Sequence, residues 1–510
     1  MLRINDQRLV TVSTMLATIM QALDTTIANV ALPHMQGSLS ASTDQISWVL
    51  TSYIVSAAIM TPVVGFAAAR LGRRRLFLWS VAGFTLASGL CGMAQSLDQM
   101  VLFRILQGVF GASLVPLSQT TLLDSYPIER HGQAMAIWGM GVMVGPILGP
   151  TLGGWLTEWY DWRWVFYINL PFGLMAFAGI WLSVSENARR VMRFDMLGFA
   201  LLGIAIGAFQ LMLDRGQDQK WFGSLEIQIE CLVAVVCFYL FVVHALSKKD
   251  PFISLELFRD VNFVTGTIFI FVVGIILLAT MALLPPFMQD WMDYPVVTTG
   301  LVMAPRGMGS LVSMMMVGRL MRSRIDSRIP IVVGLSLTTL SLHAMSTFTL
   351  DASQFDLIWT GIVQGMGLGL VFVPASTLTY ATLAPHLRTE GTALFSLSRN
   401  LGSSVGISIM TAMLARNMWI NGQQLGARLN PGALAGNLQG LPGLPEVGSV
   451  PLQVYQTLQS QAAEISYMND FHLLTWINIA AIPLVLLLRG GGRAAPDPVQ
   501  EATAEAVGEP

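Results

Sequence analysis

Residues 9–33 read LVTVSTMLATIMQALDTTIANVALP, twenty-five residues carrying a single formal charge, Asp24. As a helix rising 1.5 Å per residue, this run reaches about 37 Å, enough to cross a hydrocarbon layer of roughly 30 Å. It is too long for the apolar part of a cleaved signal peptide, so it is expected to stay as a first membrane span. The rest of the chain extends the theme. Of 510 residues, 54% are hydrophobic and 11% are charged, where soluble chains carry about 25% charged residues. A soluble fold of this size has to cover its surface with charge, so that class is excluded. The three cysteines (Cys91, Cys231, Cys237) all fall in apolar stretches and read as packing residues; they offer neither a disulfide framework nor a metal cluster.

Working outward, further runs of spanning length follow at 47–69, 76–95, 98–122, 133–156, 164–185, 195–214, 228–246, 262–284, 298–318, 329–348, 356–380, 391–415 and 471–489, giving fourteen expected spans. Positive charge tests that map, because cytoplasmic loops hold the excess of Lys and Arg. With both termini cytoplasmic, 20 of the 28 Lys and Arg fall inside, among them Arg70 to Arg75, Lys248 and Lys249, and Arg319 to Arg328. The outside loops hold 5, and Arg104, Arg306 and Arg399 lie within spans. Missing one helix would scramble the sidedness of every later loop.

Two short basic hairpins opening with Gly, at Gly65 to Arg75 and at Gly318 to Arg324, sit eight spans apart. That spacing fits two six-helix halves separated by two inserted helices, a repeat architecture usual in secondary transporters. The expected organisation is an all-α integral membrane fold: a six-helix bundle at 1–190, an inserted pair at 191–255, and a second six-helix bundle at 256–490. A long outside loop at 416–470 belongs to the second bundle, and a Gly/Ala/Pro/Glu-rich tail at 491–510 reads as disordered and cytoplasmic.

Soluble-type catalysis finds no foothold. Lysine stands only at 220, 248 and 249, none after Gly, so the chain has no Walker A loop and no HExxH. Gly402-Ser403-Ser404-Val405-Gly406 matches the hydrolase elbow in letters but lies in an apolar span, where small residues at that spacing are packing surfaces.

Ionisable groups inside spans carry more information, since a charge at the bilayer centre costs about 2.5–3.5 kcal/mol on insertion scales. Asp24 lies two-thirds through the first span and Arg104 deep in the fourth. If Arg104 meets Asp24 in one conformation and leaves it in another, a proton is released and taken up as helices move. Arg306 and Arg399 are weaker candidates of the same kind. Polar groups on inward stretches, namely Gln21, Thr25, Asn29, Gln107, Gln119, Gln364 and Arg399, are candidates for a substrate pocket with Met-rich walls. In span five, Gly141, Gly145 and Gly149 recur every fourth residue beside Pro146 and Pro150, a face that admits another helix closely and favours a bend.

These motifs resemble the major facilitator superfamily, and within it the fourteen-span drug:proton antiporters. Leu23 to Pro33 looks like that family's first-span signature, and Arg104-Ile-Leu-Gln107-Gly108 like its fourth-span motif, linked to proton transfer. Gly145-Pro146-Ile-Leu-Gly149-Pro150 looks like the antiporter motif of span five. Trp162 to Gly173 and Leu213-Asp214-Arg215-Gly216 match as well. The chain is similar to inner-membrane multidrug exporters of EmrB type. That resemblance implies a bacterial inner-membrane location, export driven by the proton gradient with no cofactor, and work with a periplasmic adaptor and an outer-membrane channel. It also implies gating by Arg70, Gly72 and Arg73 in the loop after span two, although Ala69 stands where the family carries an acidic residue. Two alternatives stay open: an exporter of one endogenous metabolite, lipid or siderophore, and a non-transporting membrane sensor.

Overall fold

The computed structural model describes residues 7–186, 194–248, 251–321, 326–428 and 452–488. Arg322 and Arg324, the junction at 190–191, the centre of the expected outside loop (429–451) and the tail at 491–510 lie outside the described residues.

The described chain is helical throughout. The first half holds α1 (Gln7–Ser38), α2 (Trp48–Met60), α3 (Val63–Leu71), α4 (Arg73–Met93), α5 (Leu97–Gly111), α6 (Leu114–Ser125), α7 (His131–Trp159) and α8 (Asn169–Ser183). The inserted pair is α9 (Met196–Arg215) and α10 (Leu225–Ser247). The second half holds α11 (Val261–Pro286), α12 (Val296–Leu320), α13 (Arg328–Met345), α14 (Gln354–Ala381), α15 (Arg388–Arg428) and α16 (Leu452–Ala481). Side chains cap several of these helices: Ser96, Ser353, Asp195 and Asp260 each accept from a backbone N–H in the first turn, meeting donors that the helix itself leaves unpaired.

Among the described residues, twelve helical segments are long and apolar enough to cross a membrane, and α2 with α3 make a thirteenth if that bent pair is one span. One expectation is corrected here. The span at 47–69 is a broken helix bent by 59° between Met60 and Val63. Pro62 has no N–H to continue the ladder, and the Thr61 hydroxyl bonds back to the Ala57 carbonyl at 2.6 Å. A count of fourteen rests in addition on α15. That helix has 41 residues, ample length to cross, and is less apolar than the twelve.

The described parts of the outside loop expected at 416–470 are helix. α15 continues to Arg428 and α16 begins at Leu452, and the two pair alongside each other, with Asn421 donating to Ser466 Oγ at 3.0 Å and Asn417 approaching Asp470 at 3.5 Å. Hydropathy marks where a helix leaves the hydrocarbon, not where it stops.

The inserted pair is no appendage. α9 packs Gly203 and Gly207 against Ile59 of α2, and Asp214 accepts from Thr51. On its other side Gln210 donates to Ser404 and Ser408 donates to the Leu213 carbonyl, both at 2.7 Å. The insertion therefore bridges the two halves. α10 lies outermost, with most of its apolar surface left uncovered by the rest of the protein. Trp155, Trp159, Tyr160 and Trp164 crowd exposed at the outer end of α7, where amphipathic rings suit the membrane–water boundary.

Candidate functional site

α1 carries Asp24 into the middle of the first bundle, where the carboxylate is 1% exposed and the Arg104 side chain 0%. Arg104 Nη1 donates to Asp24 Oδ2 at 2.7 Å. Gln107 Nε2 and Asn169 Nδ2 donate to the other oxygen, Oδ1, at 2.7 and 2.9 Å. The Gln107 amide is oriented by its own acceptor, since Gln107 Oε1 accepts from Arg104 Nη1 at 2.8 Å. Arg104 Nε donates to the Val49 carbonyl at 2.9 Å, and the guanidinium lies 4.3 Å from the Tyr53 ring centroid. Asn169 Nδ2 is steadied by Ser88 Oγ at 3.0 Å. Additional hydrogen bonds offset the cost of burying such a pair; both Asp24 oxygens have them, while Arg104 Nη2 is buried without a partner. Every group aimed at Asp24 here is a donor, so the arrangement fits the ionised carboxylate. Protonating Asp24 means breaking this cluster.

The helices that hold the cluster pack on glycine. On α7, Gly141, Gly145 and Gly149 face α1: side-chain atoms at these positions would run into Met15, Ala22 and Thr26 respectively. Thr26 Oγ1 donates to the Gly145 carbonyl at 3.0 Å across this seam. Pro146 and Pro150 lie within one continuous helix.

The cytoplasmic side is shut between the halves. Thr120 and Thr392 share a hydrogen bond of 2.7 Å, Tyr380 donates to Gln119 at 3.3 Å, and Trp138 stacks on Phe372 with centroids 5.6 Å apart. Asp124 takes Arg73 from its own half and Arg388 of the other half at 2.9 Å. Glu390 lies against Gly65, 2.9 Å from where a β-carbon would sit, and accepts from the Ser254 N–H at 2.5 Å. Gly72 links α3 to α4 at φ 90°, a backbone state that disfavours side chains. Arg70 is exposed and stands apart from these contacts.

The expected pocket residues separate into groups. Gln107 belongs to the Asp24 cluster and Gln119 to the closed cytoplasmic contact. Gln364 is buried inside the second bundle, donating to Thr280 Oγ1 at 3.1 Å. Thr25 and Asn29 are exposed, and Gln21 is half-buried with Oε1 lacking a partner. Arg399 is half-buried in α15, and Arg306 donates to the Leu277 carbonyl at 3.3 Å. Ser403 of the elbow-like stretch sits in the α11–α15 seam, donating to the Gly274 carbonyl at 3.4 Å. Asn169, Asp124, Arg388 and Glu390 were not singled out from sequence. Asn169 had a signal, a lone amide within the motif at 162–173; the other three stand at helix ends, where charged residues are ordinary.

Two helical halves, an ion pair sealed within one of them and a gate that joins their cytoplasmic ends define a membrane transporter. The chain belongs to the Major Facilitator Superfamily, whose model matches residues 14–407. It is 36% identical over 426 residues to the multidrug export protein EmrB of Haemophilus influenzae, covering 83% of each chain. It is 34% identical over 499 residues to the multidrug export protein EmrB of Escherichia coli, covering 95% of this chain and 96% of that one. The human organic anion transporter MFSD10 has the same fold, with a TM-score of 0.58 at 14% identity, covering 93% of this chain and 99% of that one. The protein is a multi-pass protein of the bacterial inner membrane.

Proposed function

We propose that this chain exports hydrophobic, drug-like compounds in exchange for protons by alternating access of its two halves. The observation that carries the reading is the Asp24–Arg104 pair, sealed from solvent with both carboxylate oxygens bonded while the cytoplasmic gate is closed. Substrate enters from the cytoplasm or inner leaflet when that gate opens. Outward opening releases it, a proton from outside takes Asp24, and Arg104 is freed to settle on Gln107 and the Val49 carbonyl. Charge neutralisation at Asp24 loosens the first bundle, and the return to the inward state delivers the proton. One pH unit supplies about 1.36 kcal/mol per proton and 100 mV about 2.3 kcal/mol per charge, together sustaining a gradient of roughly 500-fold. The paired outer ends of α15 and α16 offer a docking surface for a periplasmic adaptor leading to an outer-membrane channel.

The test is proton-driven accumulation of unrelated hydrophobic compounds in inverted vesicles holding this chain alone. Accumulation of several, collapsed by a protonophore, is expected. Movement of one compound class only would withdraw the word drug, and no movement with adaptor present would remove the exporter reading.

A further inference from the structure

The second bundle holds a broken copy of the Asp24 site. α5 and α14 both begin after a serine that caps the helix. The eleventh residue of each is a glutamine followed by glycine, Gln107-Gly108 and Gln364-Gly365. Each glutamine donates to one residue of its bundle's first helix: Gln107 to Asp24 at 2.7 Å, Gln364 to Thr280 of α11 at 3.1 Å. A hydroxyl thus stands where the first bundle has a carboxylate. Three residues before Gln364, where the first bundle has Arg104, stands Gly361. A β-carbon there would lie 3.5 Å from Arg306 Cβ, so α12 brings a guanidinium to the place that the helix itself leaves empty.

The cation has been kept and its carboxylate has not. Arg306 is 4% exposed, its Nη2 reaches the Leu277 carbonyl, and its Nη1 is buried without a partner. Gln364 Oε1, one helical turn from Gly361, is buried without a partner too. Among the described residues neither Arg306 nor Arg399 meets a carboxylate. Arg399 also has a buried, unpartnered Nη1. Its backbone carbonyl lies against Gly274 of α11, one turn from Leu277, so both arginines lie against the same stretch of α11. Arg399 follows Thr392 by seven residues, two turns of helix on the same face, and Thr392 touches the first bundle. Arg399 therefore points toward the space between the halves just outside the closed gate. Two uncompensated positive charges at membrane depth are costly, and an anion relieves both.

We infer that Arg306, with Gln364 and Thr280 beside it and Arg399 at its approach, binds the single negative charge of an amphipathic organic anion as transported substrate. This rests on the exporter reading above. One consequence is electrical: exchanging one anion outward for one proton inward moves two positive charges inward per cycle, so the membrane potential drives anion export more steeply than export of a neutral compound.

The test is calorimetric titration of the purified full chain in neutral-lipid nanodiscs with two permanently charged aromatics of similar size, naphthalene-2-sulfonate and N-methylquinolinium. Wild type is expected to prefer the anion by about tenfold or more. Thr280→Asp supplies the missing carboxylate and Arg306→Gln removes the charge; each is expected to abolish the preference. Thr280→Asn, neutral and similar in size, is expected to keep it. Absence of anion preference in wild type, or its survival in Thr280→Asp, overturns the proposal, and the latter decides the matter even if Arg306→Gln fails to fold. Loss of the preference when the discs contain anionic lipid would give the site to a lipid headgroup instead. Proton-driven export of N-methylquinolinium without anion preference leaves the exporter standing and removes this site alone.

Discussion

Replacing Gly145 with Ala probes the α1–α7 seam with a single methyl. At that position a β-carbon lies 2.8 Å from Ala22 Cβ and closer still to the Ala22 carbonyl. Carbon atoms rest at about 3.5–4.0 Å, so the helices must part by at least about 0.7 Å. The obstacle is partly backbone and cannot rotate aside. The same displacement stretches the Thr26–Gly145 hydrogen bond, 3.0 Å in the structure, to about 3.7 Å, beyond bonding range. Overpacking of this kind costs about 1–3 kcal/mol, and Asp24 lies two residues from Ala22 on the displaced helix. We expect a lower melting temperature in detergent and slowed proton-coupled transport. Gly154 is the control: on the same helix it has nothing within 4 Å of its would-be β-carbon, so Gly154→Ala is expected to leave both readings near wild type. Equal behaviour of the two variants would refute the claim that this glycine face is a close helix contact.

Two further predictions concern the cytoplasmic gate. Glu390 lies ahead of the span at 391–415, and burial pushes its carboxyl up to about 7, with the Ser254 N–H opposing. A raised carboxyl pKa means the folded state binds more protons than the unfolded one, so stability is full below about pH 4.5 and declines as pH rises toward 7. Glu390→Gln is expected to melt like wild type at pH 5 and above it at pH 8; parallel melting curves at all pH values would contradict the assignment. Asp124→Asn weakens the ties to Arg73 and Arg388, so cysteines placed at Thr120 and Thr392 should cross-link less readily and label more readily from the cytoplasm, and unchanged labelling would rule out Asp124 as a latch.

Much of this was legible in the sequence because a membrane imposes one dominant rule. Apolar runs of spanning length had to be helices, and the placement of Arg and Lys set their sidedness. Asp24 and Arg104 stood out because charge inside a span is expensive. Their meeting did not follow from spacing, since they lie 80 residues apart and only the packing of α1 against its neighbours joins them. The break at Pro62 was hidden by unbroken hydropathy on both sides. The extension of α15 and α16 past the membrane was hidden because polar helix and polar loop share a composition. The damaged copy around Arg306 was carried by one dipeptide, Gln-Gly, too short to be noticed until the bond to Thr280 gave it meaning.

The central claim is that Asp24 carries the proton that is exchanged for substrate. The direct measurement is substrate-triggered proton release from the purified protein in weakly buffered detergent solution, wild type beside Asp24→Asn, with binding of the same compound followed in parallel. The account predicts release from wild type and no release from Asp24→Asn, which still binds the compound. Undiminished proton release from a folded Asp24→Asn protein would contradict it.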